Sequence, residues 1–102
     1  MKVVWSPLAI ARAGEIAARI AEDRPLAAER WVTQLFVRAG VLSRHPGTGH
    51  VVAEVGRPGI REIHHAVYRI IYRVEPKLVA VLTVRHGRRL LDLEALDSGA
   101  AG

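Results

Sequence analysis

The stretch AVYRIIYRVEPKLVAVLTVRHGRR, residues 66–89, decides the fold. Two runs of β-branched and aromatic residues, 67–74 and 78–84, flank Glu75-Pro76-Lys77. A short polar break between two such runs reads as a β-hairpin. Strand side chains alternate between faces. Tyr68, Ile70, Tyr72 and Val74 therefore take one face of the first strand, and Val67, Arg69, Ile71 and Arg73 take the other. The second strand, 79–85, is apolar on both faces except at Thr83, the pattern of a central strand. It runs into Arg85-His86-Gly87-Arg88-Arg89, so the hairpin is expected at the centre of a sheet with a cationic rim.

Working outward, residues 60–65 lead into the hairpin from the turn Gly56-Arg57-Pro58-Gly59, and 51–55 is a candidate strand. The segment SRHPGTG, 43–49, is a loop by its Pro and Gly content. Before it, Ala28, Trp31, Leu35, Ala39 and Leu42 form the apolar stripe of a helix over about 25–43, weakened at Gly40 by about 1 kcal/mol relative to alanine. Asp23-Arg24-Pro25 separates it from an earlier amphipathic helix, 7–22, whose stripe is Ala9, Ala13, Ile16 and Ile20. Arg12, Glu15, Arg19 and Glu22 lie on another face of that helix. Ser6 followed by Pro7 is its start signal: the hydroxyl caps a free amide, and proline is tolerated at the first helical position. Residues 2–5 are short and β-prone, an edge or partner strand. Residues 90–96 read as a short final helix or a strand extension. Two helices alone leave too little core, so the expected fold is α+β. Its order is β-α-α-β-β-β, with an antiparallel helical hairpin on one face of a mostly antiparallel sheet.

The chain has 102 residues, one domain's worth, expected to occupy 1–97 with a disordered tail of small residues over 98–102. The formal charge is +5. The excess lies between Arg57 and Arg89, where only Glu62 and Glu75 oppose it. Such a balance favours an anionic partner, nucleic acid or an acidic protein segment. The competing reading is a solvated, arginine-rich surface. With no cysteine there is no disulfide or thiolate metal site, which suits a reducing cytoplasm. No apolar run is long enough to span a membrane, and the start lacks a signal-peptide core.

Several segments in order resemble the RelE/ParE superfamily, the toxins of type II toxin–antitoxin modules. They are Val4-Trp5-Ser6-Pro7 before an Ala/Arg/Glu helix, LSRHPGTG over 42–49, Gly59-Ile60-Arg61-Glu62, Tyr68-Arg69-Ile70-Ile71-Tyr72-Arg73-Val74, and Val84-Arg85-His86-Gly87-Arg88-Arg89. The resemblance implies a small cytoplasmic toxin in a hetero-oligomer with a cognate antitoxin. It implies one of two targets. The RelE-like branch cleaves mRNA on the ribosome; the ParE-like branch, to which the plasmid stabilisation type belongs, poisons DNA gyrase.

Metal-independent RNA cleavage needs a base, an acid and cations around the phosphate. By resemblance, Arg69, His86 and, less directly, Glu54 match residues of nuclease members. The set departs from the nuclease pattern: the only lysines are Lys2 and Lys77, and no tyrosine follows Tyr72. Gyrase is therefore the expected target. An mRNA endoribonuclease acting with the ribosome is the alternative, and a non-toxic module that only binds its antitoxin is a third reading. Arg61, Arg69, Arg73, Arg85, Arg88 and Arg89 are the candidate target-binding residues. The structural reading of Arg69 is an ion pair with a helix carboxylate, Glu15 or Glu22. That of His86 is a hydrogen bond to a loop carbonyl. His64-His65 invites a metal, but neighbours on a strand point to opposite faces, so no metal site and no cofactor is expected. Trp5 and Trp31 read as core.

Overall fold

Ser6 both starts the first helix and ties it to the sheet. Its hydroxyl accepts from the Ala9 amide at 3.0 Å and donates to the Leu82 carbonyl at 2.9 Å, while Pro7 fills the first turn, where its missing N–H costs nothing. In the computed structural model, which describes residues 1–87, helix α1 runs Pro7–Asp23 and α2 runs Pro25–Gly40. Arg24 between them is non-helical, at φ -140 and ψ 77, outside the α region that a following proline disfavours. Helix α2 tightens at Gly40 into a 3-10 turn, Val41–Ser43. The second helix is thus three residues shorter as an α-helix than its apolar stripe suggested, because glycine weakens the helix where the stripe ends. The expectations for Arg88, Arg89, the element over 90–96 and the tail over 98–102 lie outside the described residues.

The described residues form five strands: β1 (Lys2–Trp5) before the helices, and β2 (His50–Val51), β3 (Ile60–His65), β4 (Tyr68–Val74) and β5 (Leu78–His86) after them. Their order in the sheet is β1-β5-β4-β3-β2, with β1 parallel to β5 and every other pair antiparallel. The expected α+β arrangement holds, with the β4–β5 hairpin at its centre; Val67, expected in the strand, lies in the turn before it. One expected strand is corrected. Of 51–55 only Val51 pairs, together with His50. Val52 instead turns inward and is fully buried, and the chain reverses through 53–55 to Gly56, whose φ of +69 suits glycine.

The alternation along β4 separates two cores. Ile70 and Tyr72 face the helices and pack with Ala9, Ala13, Ile16, Trp31 and Leu35. Ile71 faces the opposite side, where Val52, Ile60, Ala80 and Leu82 form a small second core. Along β5 strict alternation fails. Tyr72 pairs with Val81 while Ile71 pairs with Thr83, so Leu82 is an extra residue. This bulge reverses the facing of everything after it. Val84 joins Val79 and Val81 under the helices, and Arg85 comes to lie opposite Arg69.

Candidate functional site

Arg69 is the centre of the helix-free face. It points away from α1, so the expected pairing with Glu15 or Glu22 does not form; Glu15 binds Arg12 at 3.0 Å instead. Arg69 reaches two other carboxylates. Its Nε and Nη2 donate to Glu62 Oε1 and Oε2 at 3.0 and 2.9 Å. Its Nη1 and Nη2 donate to Glu54 Oε2 and Oε1 at 3.1 and 2.8 Å. The register explains Glu62: it sits opposite Ile71 on β3, so its side chain shares the face of Arg69. Glu54 arrives on the turn that replaced the expected strand. The side chains of Arg69 and Glu62 are only 8% and 7% exposed, and two bidentate contacts satisfy the guanidinium. Its hydrogen bonds to Glu62 and Glu54 outweigh burial and hold Arg69 above its ordinary value. Burial pulls Glu62 upward, but the hydrogen bonds and charge of Arg69, helped by His64 and His50, hold its carboxyl below the usual range.

The same carboxylate faces two imidazoles. His64 Nε2 lies 3.2 Å and His50 Nε2 3.8 Å from Glu62 Oε1. His64 and His65 do point to opposite faces. His65 turns to the helix side beside Trp31, with ring centroids 5.9 Å apart.

His86 lies on the other face from Arg69 and Glu54. It pairs with Tyr68, and the rings meet edge-on at 5.7 Å. Beyond residue 81 β1 no longer covers the edge of β5. There an open cleft of about 340 Å³ is lined by Arg12, Glu15, Arg19, Tyr68, Arg85 and His86, with Ile16 and Val84 at its floor. Of the three residues matched to nuclease members, the fold thus brings Arg69 and Glu54 together and sets His86 apart.

The remaining arginines are dispersed. Arg73 pairs with Glu75 at 3.3 Å. Arg61 donates to the Gly49 carbonyl at 2.7 Å. That contact belongs to an anchor for the loop before β2. The Tyr72 hydroxyl donates to the Pro46 carbonyl at 2.8 Å and accepts from the Gly49 amide at 2.9 Å. A Cβ on Gly49 would collide with the Glu62 carbonyl and lie 2.6 Å from the Tyr72 hydroxyl, so the close approach requires glycine. Burial pushes the Tyr72 hydroxyl upward, against the Gly49 hydrogen bond and the charges of Arg61 and Arg38.

Sequence reasoning gave Glu62, His50, Tyr68, Arg12 and Arg19 no role. For Glu62 a signal existed. Period-2 alternation places Glu62 and His64 on one face of β3, and a two-residue turn at Ala66-Val67 aligns that face with Arg69. The turn went unread because it has neither Gly nor Asn; Ala66 itself takes φ +53.

Residues 3–91 match the family model described as ParE toxin of type II toxin–antitoxin system, parDE. No curated protein matches the chain. Among solved structures, a chain of the chromosomal ParDE TA system from P. aeruginosa is similar in fold. The TM-score is 0.72 at 19% identity, covering 84% of this chain and 95% of that one.

Proposed function

We propose a gyrase-directed action for a chain whose family is plain: it belongs to the ParE toxins of type II toxin–antitoxin systems. In this reading the protein arrests growth by trapping DNA gyrase on cleaved DNA, and a cognate antitoxin encoded beside it neutralises it. The observation that carries the choice of target is the commitment of Arg69. A phosphate-binding arginine for RNA cleavage needs a proton-transfer partner beside it. Arg69 is instead bonded on two sides by Glu62 and Glu54, and His86 lies across the sheet. Arginine stays protonated and makes a poor base, and of the residues matched to nuclease members only Glu54 stands beside Arg69; the imidazoles on that face, His64 and His50, are turned onto Glu62.

The antitoxin reading is supported by surface character. Ile10, Leu26, Phe36, Val37 and Val41 are exposed along the helical pair, and the chain carries +5. An acidic segment that folds on binding would cover that apolar surface and be attracted by the charge.

Two assays on one preparation test the target. Linearisation of supercoiled plasmid by gyrase is expected on adding the protein, and primer extension on translated mRNA is expected to show no new breaks. Codon-spaced breaks lost in His86→Ala, with gyrase unaffected, would instead establish the ribosome-dependent nuclease. Those breaks would place the chemistry in the cleft that holds His86, Tyr68 and Arg85. Co-expression with a cognate acidic antitoxin should relieve toxicity and give a complex that weakens with salt. Neither gyrase nor ribosome effects, with complex formation intact, would leave the antitoxin-binding module.

A further inference from the structure

We propose that His50, Glu62 and His64 form a binding site for a divalent transition-metal ion of the zinc class. It lies on the helix-free face at the β2 edge of the sheet, away from the cleft that holds His86, and it does not depend on which target the toxin attacks.

The strand register builds the site. His50 on β2 is directly opposite Glu62 on β3, and His64 is two residues beyond Glu62 on the same strand. All three side chains therefore project from one face. One donor atom from each lies within 4.8 Å of the others. In a tetrahedral site with zinc–ligand bonds of about 2.0–2.1 Å, ligand atoms stand about 3.3 Å apart. The His64–Glu62 separation is 3.2 Å and the His50–Glu62 separation 3.8 Å. Closing the remaining gap needs only rotation of the two imidazoles, which are 68% and 60% exposed.

Charge and support agree with this geometry. Arg69 carries one positive charge between two carboxylates, so the Arg69–Glu54–Glu62 group bears a net negative charge. Arg69 holds the Glu62 carboxylate in a fixed plane, and Glu54 holds Arg69 from the other side. Such outer contacts orient a ligating carboxylate. Oε1 already accepts from Arg69 Nε and, as a carboxylate oxygen, keeps a further lone pair for a metal. The backbone beside His50 is also fixed, through the Gly49 amide on the Tyr72 hydroxyl. Two nitrogen donors and one oxygen suit zinc, nickel or copper and are wrong for calcium or magnesium, which take oxygen ligands. Three protein ligands leave one coordination position facing solvent.

The experiment is calorimetric titration of the untagged full-length chain with Zn²⁺, paired with Co²⁺ absorption. One ion per chain is expected, with the visible bands of tetrahedral cobalt. Changes outside the ligand shell cost about 10- to 100-fold in metal affinity, so His50→Ala and His64→Ala should each cost at least as much. His45→Ala, on the 43–49 loop, should bind like the parent chain. Both site histidines are exposed, so their variants should keep the parent circular dichroism; His64→Gln serves if His64→Ala does not. Absence of stoichiometric binding overturns the site. So does parent-like affinity in the His50 and His64 variants, or an effect confined to one of the two.

Discussion

Ile70 and Ile71 are neighbours in β4, both fully buried, yet they sit in cores of different construction. Ile70 lies under two helices, in a cluster that draws on α1, α2, β3, β4 and β5. Ile71 lies in a small cluster closed by Val52 and Val55 from a loop, with the Arg69 ion-pair group alongside it. One face of the sheet is held by bulk apolar packing. The other combines a thin apolar patch with charges that satisfy one another. A packed core resists distortion because its neighbours cannot close a gap; a loop-covered core has a lid that can settle.

The sharpest way to break that comparison is to cut the same group from each side. Ile70→Ala should cost about 4 kcal/mol and Ile71→Ala about 2–3 kcal/mol, within the range for large-to-alanine changes and separated by how far each cavity can collapse. Urea unfolding at constant slope measures both. Equal losses would mean that the loop is as rigid a cover as the helical pair.

Removing Arg69 probes the charged part of the same face. Arg69→Met leaves Glu62 buried beside Glu54 with no cation between them, and should cost about 3 kcal/mol. Adding Glu62→Gln should recover part of that loss, a coupling read by a double-mutant cycle. The pH dependence has a definite sign. The folded carboxyl of Glu62 lies below its ordinary value. Its contribution is therefore present above the unfolded pKa and is lost as pH falls through the folded one. The parent chain should lose stability on acidification below about pH 4, and Arg69→Met should lose less over that interval. An acid limb of unchanged size would place the acid sensitivity elsewhere.

These two regions differ as well in how far they could be read from sequence. The helix-covered core was legible because its evidence is periodic. Ala9, Ala13 and Ile16 repeat at helical spacing, Ala28, Trp31, Leu35 and Ala39 likewise, and Ile70 and Tyr72 alternate on the strand. The ParE-like fold also followed from motifs in order. The ion-pair group was legible only in pieces. Arg69 and Glu54 were singled out, but as chemistry, and Arg69 was given a helix partner although alternation already placed it beside Ile71. Its true partners come from a strand reached through a turn without Gly or Asn and from a loop taken for a strand. The bulge at Leu82 that brings Arg85 opposite Arg69 leaves no mark in an unbroken apolar run. Long-range register is what periodicity within one strand cannot supply.

A smaller effect tests the anchor that links the faces. Tyr72→Phe keeps the ring in the helix-side core but removes the hydroxyl from Gly49 and Pro46. The expected loss is about 1–2 kcal/mol, since a buried amide and a carbonyl lose their partner. In the folded state the Tyr72 hydroxyl titrates above its ordinary value. Its contribution is thus full below the unfolded pKa and is lost as pH rises through the folded one. The parent chain should weaken in alkali above about pH 10 more than Tyr72→Phe does. Parallel alkaline curves would show that Tyr72 is not the responsible group.

The smallest effect concerns the turn that assigns residues to the two faces. A slip of one residue between β3 and β4 would carry Arg69 under the helices and Ile70 to the other side, so the Ala66-Val67 connection has to hold its register. It does so with Ala66 at φ +53, a conformation that costs an L-residue about 1–2 kcal/mol. Ala66→Gly removes that cost but adds back backbone entropy of about 0.5–1 kcal/mol to be lost on folding. The two nearly cancel, and the sign favours relief: the variant should be more stable by about 0.5 kcal/mol. Gly56 provides the mirror experiment. Its φ is +69, and an added Cβ would meet nothing within 4 Å. Gly56→Ala therefore introduces the same backbone cost without a clash, and should destabilise by up to about 1 kcal/mol. Opposite shifts in urea midpoint, at constant slope, would show that the hairpin keeps its register against local strain. A loss of stability in both variants would mean that Ala66 sits in its turn without strain, and that the cross-strand pairs alone fix which side of the sheet Arg69 occupies.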